Sequence, residues 1–197
     1  MQEHLFVTKI TIDLYNKFDK VIILSTWNVS KFFDAECLVD VMNELHKNDI
    51  RVKLYRLIYL MNRNTRIQVS TPVGASAERG VGETLGQGTI EGAIASAVNL
   101  DNGVTDFFHE SLDEVYYVSV KLAPLLFQDD VARLSLSVQS AQSGNDRMRC
   151  VAETKLLDFN LENSGYAVFG AKRRRQELQN ELNEQPLQLC GRDMKHL

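Results

Sequence analysis

The sequence predicts an α+β protein in which mixed strands and helices pack as a sandwich. Three observations carry that expectation. The spacing of apolar residues switches along the chain between the near-continuous runs of buried strands and the three-to-four spacing of helices. An apolar stretch that runs into Gln128-Asp129-Asp130 has the form of a tight hairpin with two acids at its tip. No internal repeat and no long low-complexity segment interrupts the pattern. The 197 residues, 44% hydrophobic and 24% charged, fall in the range of one globular domain with one sizeable core.

Val21 to Val29, β-branched and apolar around Trp27, reads as a buried strand. Cys37, Leu38, Val41, Met42 and Leu45 then recur at helical spacing, with Asp34 as the expected N-cap and Asn48 as the stop. A second amphipathic helix carries Val52, Leu54, Tyr55, Ile58, Tyr59 and Met61, and a short strand follows at Ile67, Val69 and Thr71. Five glycines between Gly74 and Gly88 imply a loop, after which Thr89 opens a helix of small residues through Ala93, Ala95, Ala97 and Leu100. Val115 to Val120 is strand-like and leads to the Asp129-Asp130 hairpin. A helix through Ala141, Met148, Val151 and Ala152, a strand at Tyr166 to Phe169, the basic run Lys172 to Arg175, a polar Gln- and Glu-rich helix and a last strand at Leu187 to Cys190 complete the order.

Composition excludes several classes. Twenty-two basic against 26 acidic residues give a formal charge of −4, so a wholly basic nucleic-acid-coating surface is excluded, while a local basic patch is not. Cys37, Cys150 and Cys190 are widely spaced, without CxxC or a nearby histidine pair, which fits a reducing compartment rather than a disulfide scaffold or a structural zinc site. The run Val21 to Leu24 is far short of the about 20 residues a membrane helix needs, and residues 1–20 lack a signal-peptide core. The expectation is an intracellular protein of the cytoplasm or nucleus with no membrane partner. Without a secretory signal, the Asn28-Val29-Ser30 sequon reads as a chance tripeptide.

Asp129 and Asp130, adjacent at a turn, are the pattern that two-metal phosphoryl chemistry uses, because carboxylates a hairpin tip apart can hold divalent ions close together. On that feature alone a solvated acidic turn is the better reading. Gly80-x-Gly82-x-x-x-Gly86 with Asp101 downstream is similar to a dinucleotide fingerprint, but the segment before it is polar and small where a hydrophobic strand is required. Lys172-Arg173-Arg174-Arg175 reads as a solvated face or as a phosphate-backbone contact.

In order, these pieces resemble the palm of a retroelement reverse transcriptase, an RNA-directed DNA polymerase, from about Thr26 to Asp193. Trp27-Asn28-Val29-Ser30-Lys31-Phe32-Phe33-Asp34 is similar to the first palm motif. Gly82 to Thr89, with the Gln87-Gly88 pair before its helix, is similar to the second, and Phe127-Gln128-Asp129-Asp130 to the third. Leu156 to Ser164 resembles the fourth, and Leu189-Cys190-Gly191-Arg192-Asp193 the fifth, the primer grip. The resemblance implies an antiparallel sheet packed on helices, ferredoxin-like or RRM-like. It also implies template-directed addition of deoxynucleotides to a DNA primer on an RNA template, with Mg²⁺ or Mn²⁺ as cofactor. Asp129 and Asp130 would be catalytic metal ligands, completed by the backbone carbonyl of Val29. Phe33, Gln87 and Gly88 would touch the incoming nucleotide; Lys172, Arg173, Arg174, Arg175 and Gly191 would touch nucleic acid.

Two positions depart from the family pattern. Where the family places its metal-bridging aspartate the chain has Asn28, which leaves two carboxylates for two divalent ions. Where the fourth motif carries a lysine able to act as general acid the chain has Asn163, and Lys155 lies eight residues upstream. The expectation is an impaired or inactive copy. Residues 1–20 would be a remnant of the fingers, 21–170 the palm, and 171–197 a basic, polar helix with a primer-grip-like strand, other segments of a larger polyprotein being further partners. Three readings stay open: a polymerase active with other segments, an inactive palm that binds nucleic acid, and a palm fold kept as a protein-interaction module.

Overall fold

The computed structural model describes residues 2–32, 36–63, 66–80, 90–108, 115–117 and 119–197. The chain is α+β and divides into two units, Met1–Ser30 with Gly103–Leu197, and Lys31–Asn102. Among the described residues there are six helices: α1 (Gln2–Lys17), α2 (Leu38–Lys47), α3 (Lys53–Asn62), α4 (Ile90–Phe108), α5 (Val138–Lys155) and α6 (Lys172–Glu184).

The first unit is built on a sheet in the order β14 (Lys195–His196), β11 (Gly165–Phe169), β1 (Ile22–Ser30), β9 (Asp130–Ser135) and β8 (Leu125–Phe127), with β10 (Asp158–Phe159) also paired to β1. Its central strand β1 alternates: Ile23, Ser25, Trp27 and Val29 are buried, while Leu24, Thr26, Asn28 and Ser30 are partly open on the other face. Trp27 organises the buried face. Its indole N–H donates to Asn145 Oδ1 on α5 at 2.9 Å, and its ring lies 6.3 Å from Phe108 at the end of α4. Arg133 on β9 is buried too, its guanidinium donating to the Ser140 carbonyl at 2.7 Å and lying 5.5 Å from the Phe108 ring. Gly144 on α5 leaves the room that this guanidinium fills. Toward the start of β1, Ile12 and Tyr15 of α1 pack against a cluster formed by Ile22, Val115 and Leu134.

The sheet is mixed where an antiparallel one was expected. Its ladders are antiparallel except β14, which runs parallel to β11 after the chain has crossed over through α6. Two residues, Lys195 and His196, make that pairing, too few for any periodic signal. With the main ladders antiparallel, the parallel sheet that a dinucleotide fold requires is not present among the described residues.

In the second unit, α2 and α3 share a core of Leu38, Val41, Met42, Leu45 and Ile58 with Ala95 of α4. The N-cap of α2 is Cys37, without a side-chain cap bond, and not Asp34, which lies outside the described residues; Asn48 is the C-cap, as the sequence predicts. The strand expected over Ile67 to Thr71 is two separate ladders, β2 (Arg66–Ile67) with β5 (Arg79–Gly80) and β3 (Ser70–Thr71) with β4 (Gly74–Ala75). In the first unit, likewise, the strand expected over Val115 to Val120 is a small hairpin of β6 (Tyr116–Tyr117) and β7 (Val120–Lys121). The basic run does not precede the polar helix but forms the first turn of α6.

Candidate functional site

The hairpin of β8 and β9 turns through Gln128 and Asp129, with Phe127 paired to Asp130. A two-residue connection with positive φ at Gln128 (55°) brings Asp129 and Asp130 to the tip. The register of β9 on β1 places Asp130 opposite Asn28. The sequence-predicted residues Asn28, Val29, Asp129 and Asp130 are therefore brought together by strand pairing alone.

Asn28 bridges the two acids. Its Nδ2 donates to Asp129 Oδ2 at 3.2 Å and to Asp130 Oδ1 at 2.9 Å. Ionised carboxylates only accept, so the NH₂ end of the amide must face them. The backbone is fixed as well: the Val29 N–H donates to the Asp129 carbonyl at 2.8 Å, and the Asn160 N–H to the Asn28 carbonyl at 2.8 Å. Ser164 Oγ accepts from the Asn28 N–H at 3.0 Å and donates to the Asn160 carbonyl at 2.8 Å.

Asn160 and Ser164 hold Asn28 in place, and sequence reasoning gave neither of them a role. Their signal is the turn chemistry of an asparagine whose Oδ1 accepts from the N–H groups two and three residues on, Glu162 and Asn163, at 3.2 and 3.3 Å. Asn163 is exposed on that turn. Lys155 lies with its stem against Gly103 of α4, where a Cβ on the glycine would sit 3.1 Å from the lysine Cε.

These side chains fit a carboxylate–amide bridge and not a pair of divalent ions. One oxygen of each carboxylate, Asp129 Oδ2 and Asp130 Oδ1, already accepts from Asn28, and the amide adds no charge to replace the missing third carboxylate. Among the described residues no group of three or more His, Cys, Asp and Glu side chains is placed to hold a metal.

The remaining predicted residues lie elsewhere or outside the description. Phe33, Gln87 and Gly88 fall outside the described residues. Gly191, at φ +73°, and Cys190, at φ +52°, form the two-residue turn between β12 (Gln188–Leu189) and β13 (Arg192–Asp193), a ribbon of its own and not a strand of the main sheet. Two positive φ values in sequence are what a type I′ turn asks for, and glycine meets that need at no steric cost. Partial burial pushes the Cys190 thiol above its ordinary value, against the pull of Arg149. Lys172, Arg173, Arg174 and Arg175 follow β11, whose Phe169 is paired with Ile22 at the start of β1. Six residue steps of strand, about 20 Å, run from Ile22 to Asn28, so the basic run enters at the other end of the sheet from the acidic hairpin.

The fold matches solved telomerase structures. One is an apo telomerase from Candida tropicalis truncated from its C-terminal domain, matched over 86% of this chain and 35% of the other with a TM-score of 0.60 and 10% identity. Another is a telomerase from Candida albicans in complex with a TWJ fragment of telomeric RNA, matched over 84% and 29% with a TM-score of 0.58 and 10% identity. At such identity the likeness is one of fold. The chain spans about a third of the length of these proteins. No protein-family model matches the sequence, and no curated protein matches it. No helix among the described residues is long and apolar enough to cross a membrane.

Proposed function

We propose that this chain is a reverse-transcriptase-like palm that binds nucleic acid without extending a primer. The observation that carries the reading is the Asn28 amide, which donates one hydrogen bond to each carboxylate of the Asp129-Asp130 hairpin. An amide that donates to both acids eases their repulsion and occupies one oxygen of each, which a cation would otherwise be free to take. The palm assignment is supported by the strand order β11-β1-β9-β8, which by chain position is fourth, first, third, second. With α4 and α5 as the two connecting helices, that is a ferredoxin-like β-α-β-β-α-β arrangement. It is supported also by the likeness to telomerases, one of them bound to a fragment of telomeric RNA. RNA template, DNA primer and deoxynucleotide are the partners of the parent chemistry, and the first two are those this copy would keep.

Primer extension on an RNA template with Mg²⁺ or Mn²⁺ tests the reading. The expected result is no extension above background. Extension that Asp129→Ala abolishes would overturn it. Binding to an RNA–DNA duplex that weakens steeply with salt separates a nucleic-acid-binding palm from one kept only for protein contacts.

A further inference from the structure

The end of the sheet opposite the acidic hairpin gathers features that the sequence keeps far apart. Helix α1 ends in a Schellman pattern: the Asp19 N–H donates to the Asn16 carbonyl and the Lys20 N–H to the Tyr15 carbonyl, with Asp19 at φ +52°. That reversal leaves the Phe18 ring 68% exposed. Beside it is a cavity of about 640 Å³ lined by Leu14, Tyr15, Phe18, Lys20 and Tyr116. The Lys20 ammonium lies 5.7 Å from the centre of the Tyr15 ring. The Tyr116 N–H donates to the Tyr15 hydroxyl at 3.1 Å and fixes the cavity wall.

The basic run is delivered to the same place. Gly170, at φ +146°, approaches so closely that a Cβ there would sit 3.0 Å from the Lys20 carbonyl oxygen. The chain then enters α6, and Arg174 Nε reaches Asp19 Oδ2 at 3.4 Å. Arg173 pairs with Glu177 at 3.2 Å, whereas Lys172 and Arg175 are exposed and have no ion-pair partner among the described residues. Residues 18–20 and the first turn of α6, more than 150 residues apart in sequence, thus meet through Asp19 and Arg174: an open aromatic ring beside a hollow with Lys20 in its wall, and a basic helical turn joined to it.

We infer that this surface binds single-stranded nucleic acid, a base stacking on Phe18 over the hollow while the flanking phosphates lie along Lys172 and Arg175. Charge complementarity selects a polyanion. The exposed ring selects one with π-faces to offer, and selects a single strand because bases within a duplex are already stacked. An acidic peptide satisfies the first condition and not the second. The inference rests on the proposed function only for the kind of partner. Its chemistry lies at the other end of the sheet from Asn28 and does not depend on whether the acidic hairpin holds a metal.

The test is fluorescence anisotropy of the full chain with a labelled oligothymidylate of about 12 nucleotides, across a salt series, beside an abasic oligomer of the same backbone length. Phe18→Ala is expected to weaken oligothymidylate binding about tenfold and Phe18→Trp to leave it within about twofold. Phe18→Leu keeps apolar bulk without a π-face and is expected to behave like the alanine variant, which guards against a folding defect. The abasic oligomer should bind about tenfold more weakly and be indifferent to Phe18. Lys172→Ala with Arg175→Ala should lower the slope of log K against log salt by about 1.4. Primer extension and duplex binding are read separately from the Phe18 dependence of oligothymidylate binding, so failure here is distinguishable from failure of the proposed function. Binding that ignores Phe18, equal affinity for the abasic oligomer, preference for duplex, or polyglutamate held as tightly with the same dependence on Phe18 would each overturn the inference.

Discussion

The two ends of β1 carry the two charged constellations of the first unit, and they are built in opposite ways. At the hairpin end, Asn28 spends its backbone N–H on Ser164, its carbonyl on Asn160 and its amide protons on Asp129 and Asp130. At the other end, Phe18 is 68% exposed, and of the basic run Arg173 and Arg174 are paired while Lys172 and Arg175 are not, among the described residues. Polar groups already satisfied by neighbours have little capacity left for a ligand, since every new bond displaces an old one. The acidic end is therefore the more internally bonded of the two, and the basic end is the more open. The residue types alone suggest the reverse emphasis, because paired aspartates draw more notice than a lysine–arginine run.

The acidic end depends most on Asn28. Asn28→Asp removes both amide donors and sets a third carboxylate against two, so the hairpin end should lose about 3 kcal/mol of stability at neutral pH without divalent cations. Urea unfolding with and without Mg²⁺ measures it. Mg²⁺ should return about 2 kcal/mol to the variant, a rise of about 5 °C in melting temperature, and change the natural chain little. A variant as stable as the natural chain without metal would mean that the bridge does not hold this end together.

That bridge also marks how far the sequence could be read. The strand at Ile22 to Ser30, the hairpin at Phe127 to Asp130 and the helix through Met148 were legible because local period and turn chemistry dictate them. Asn28, Asp129 and Asp130 could be grouped only through the resemblance, since their meeting depends on β1–β9 register across 100 residues of intervening chain. The direction of the Asn28 amide was not legible at all, nor was Ser164 as the acceptor for its N–H, because both are set by tertiary placement. The parallel β14 and the two-residue ladders of the second unit are too short for period, and the Cys37 N-cap carries none of the usual capping chemistry. The basic run was visible, but the meeting of Arg174 with Asp19 waited on the β1–β11 pairing.

Between the two ends lies the buried polar core around Trp27, and it should respond to a single methyl. Gly144→Ala drives a Cβ into the Arg133 guanidinium, which is held by Ser140 and the Phe108 ring. The expected cost is about 2 kcal/mol, read from the urea midpoint at unchanged slope. An equal loss at both ends of the sheet by hydrogen exchange would show that β1 unfolds as one cooperative unit; a loss confined to one end would show that the ends are independent.

The smallest effect lies at the open, basic end. Arg174 and Asp19 are joined at 3.4 Å with both side chains exposed. A pair of that kind is weakened by water, by salt and by the entropy of holding a long side chain, so Arg174→Ala should cost at most about 0.5 kcal/mol. Asp19→Asn is the matching change, because asparagine tolerates the left-handed backbone that residue 19 adopts at φ +52°. The double-mutant cycle of the two isolates the pair, and its coupling should stay below about 0.5 kcal/mol and fade as salt is raised. A coupling above about 1.5 kcal/mol, insensitive to salt, would mean that the basic end is as internally committed as the acidic one. Its arginines would then be structural, and the contrast between a closed and an open end of β1 would not hold.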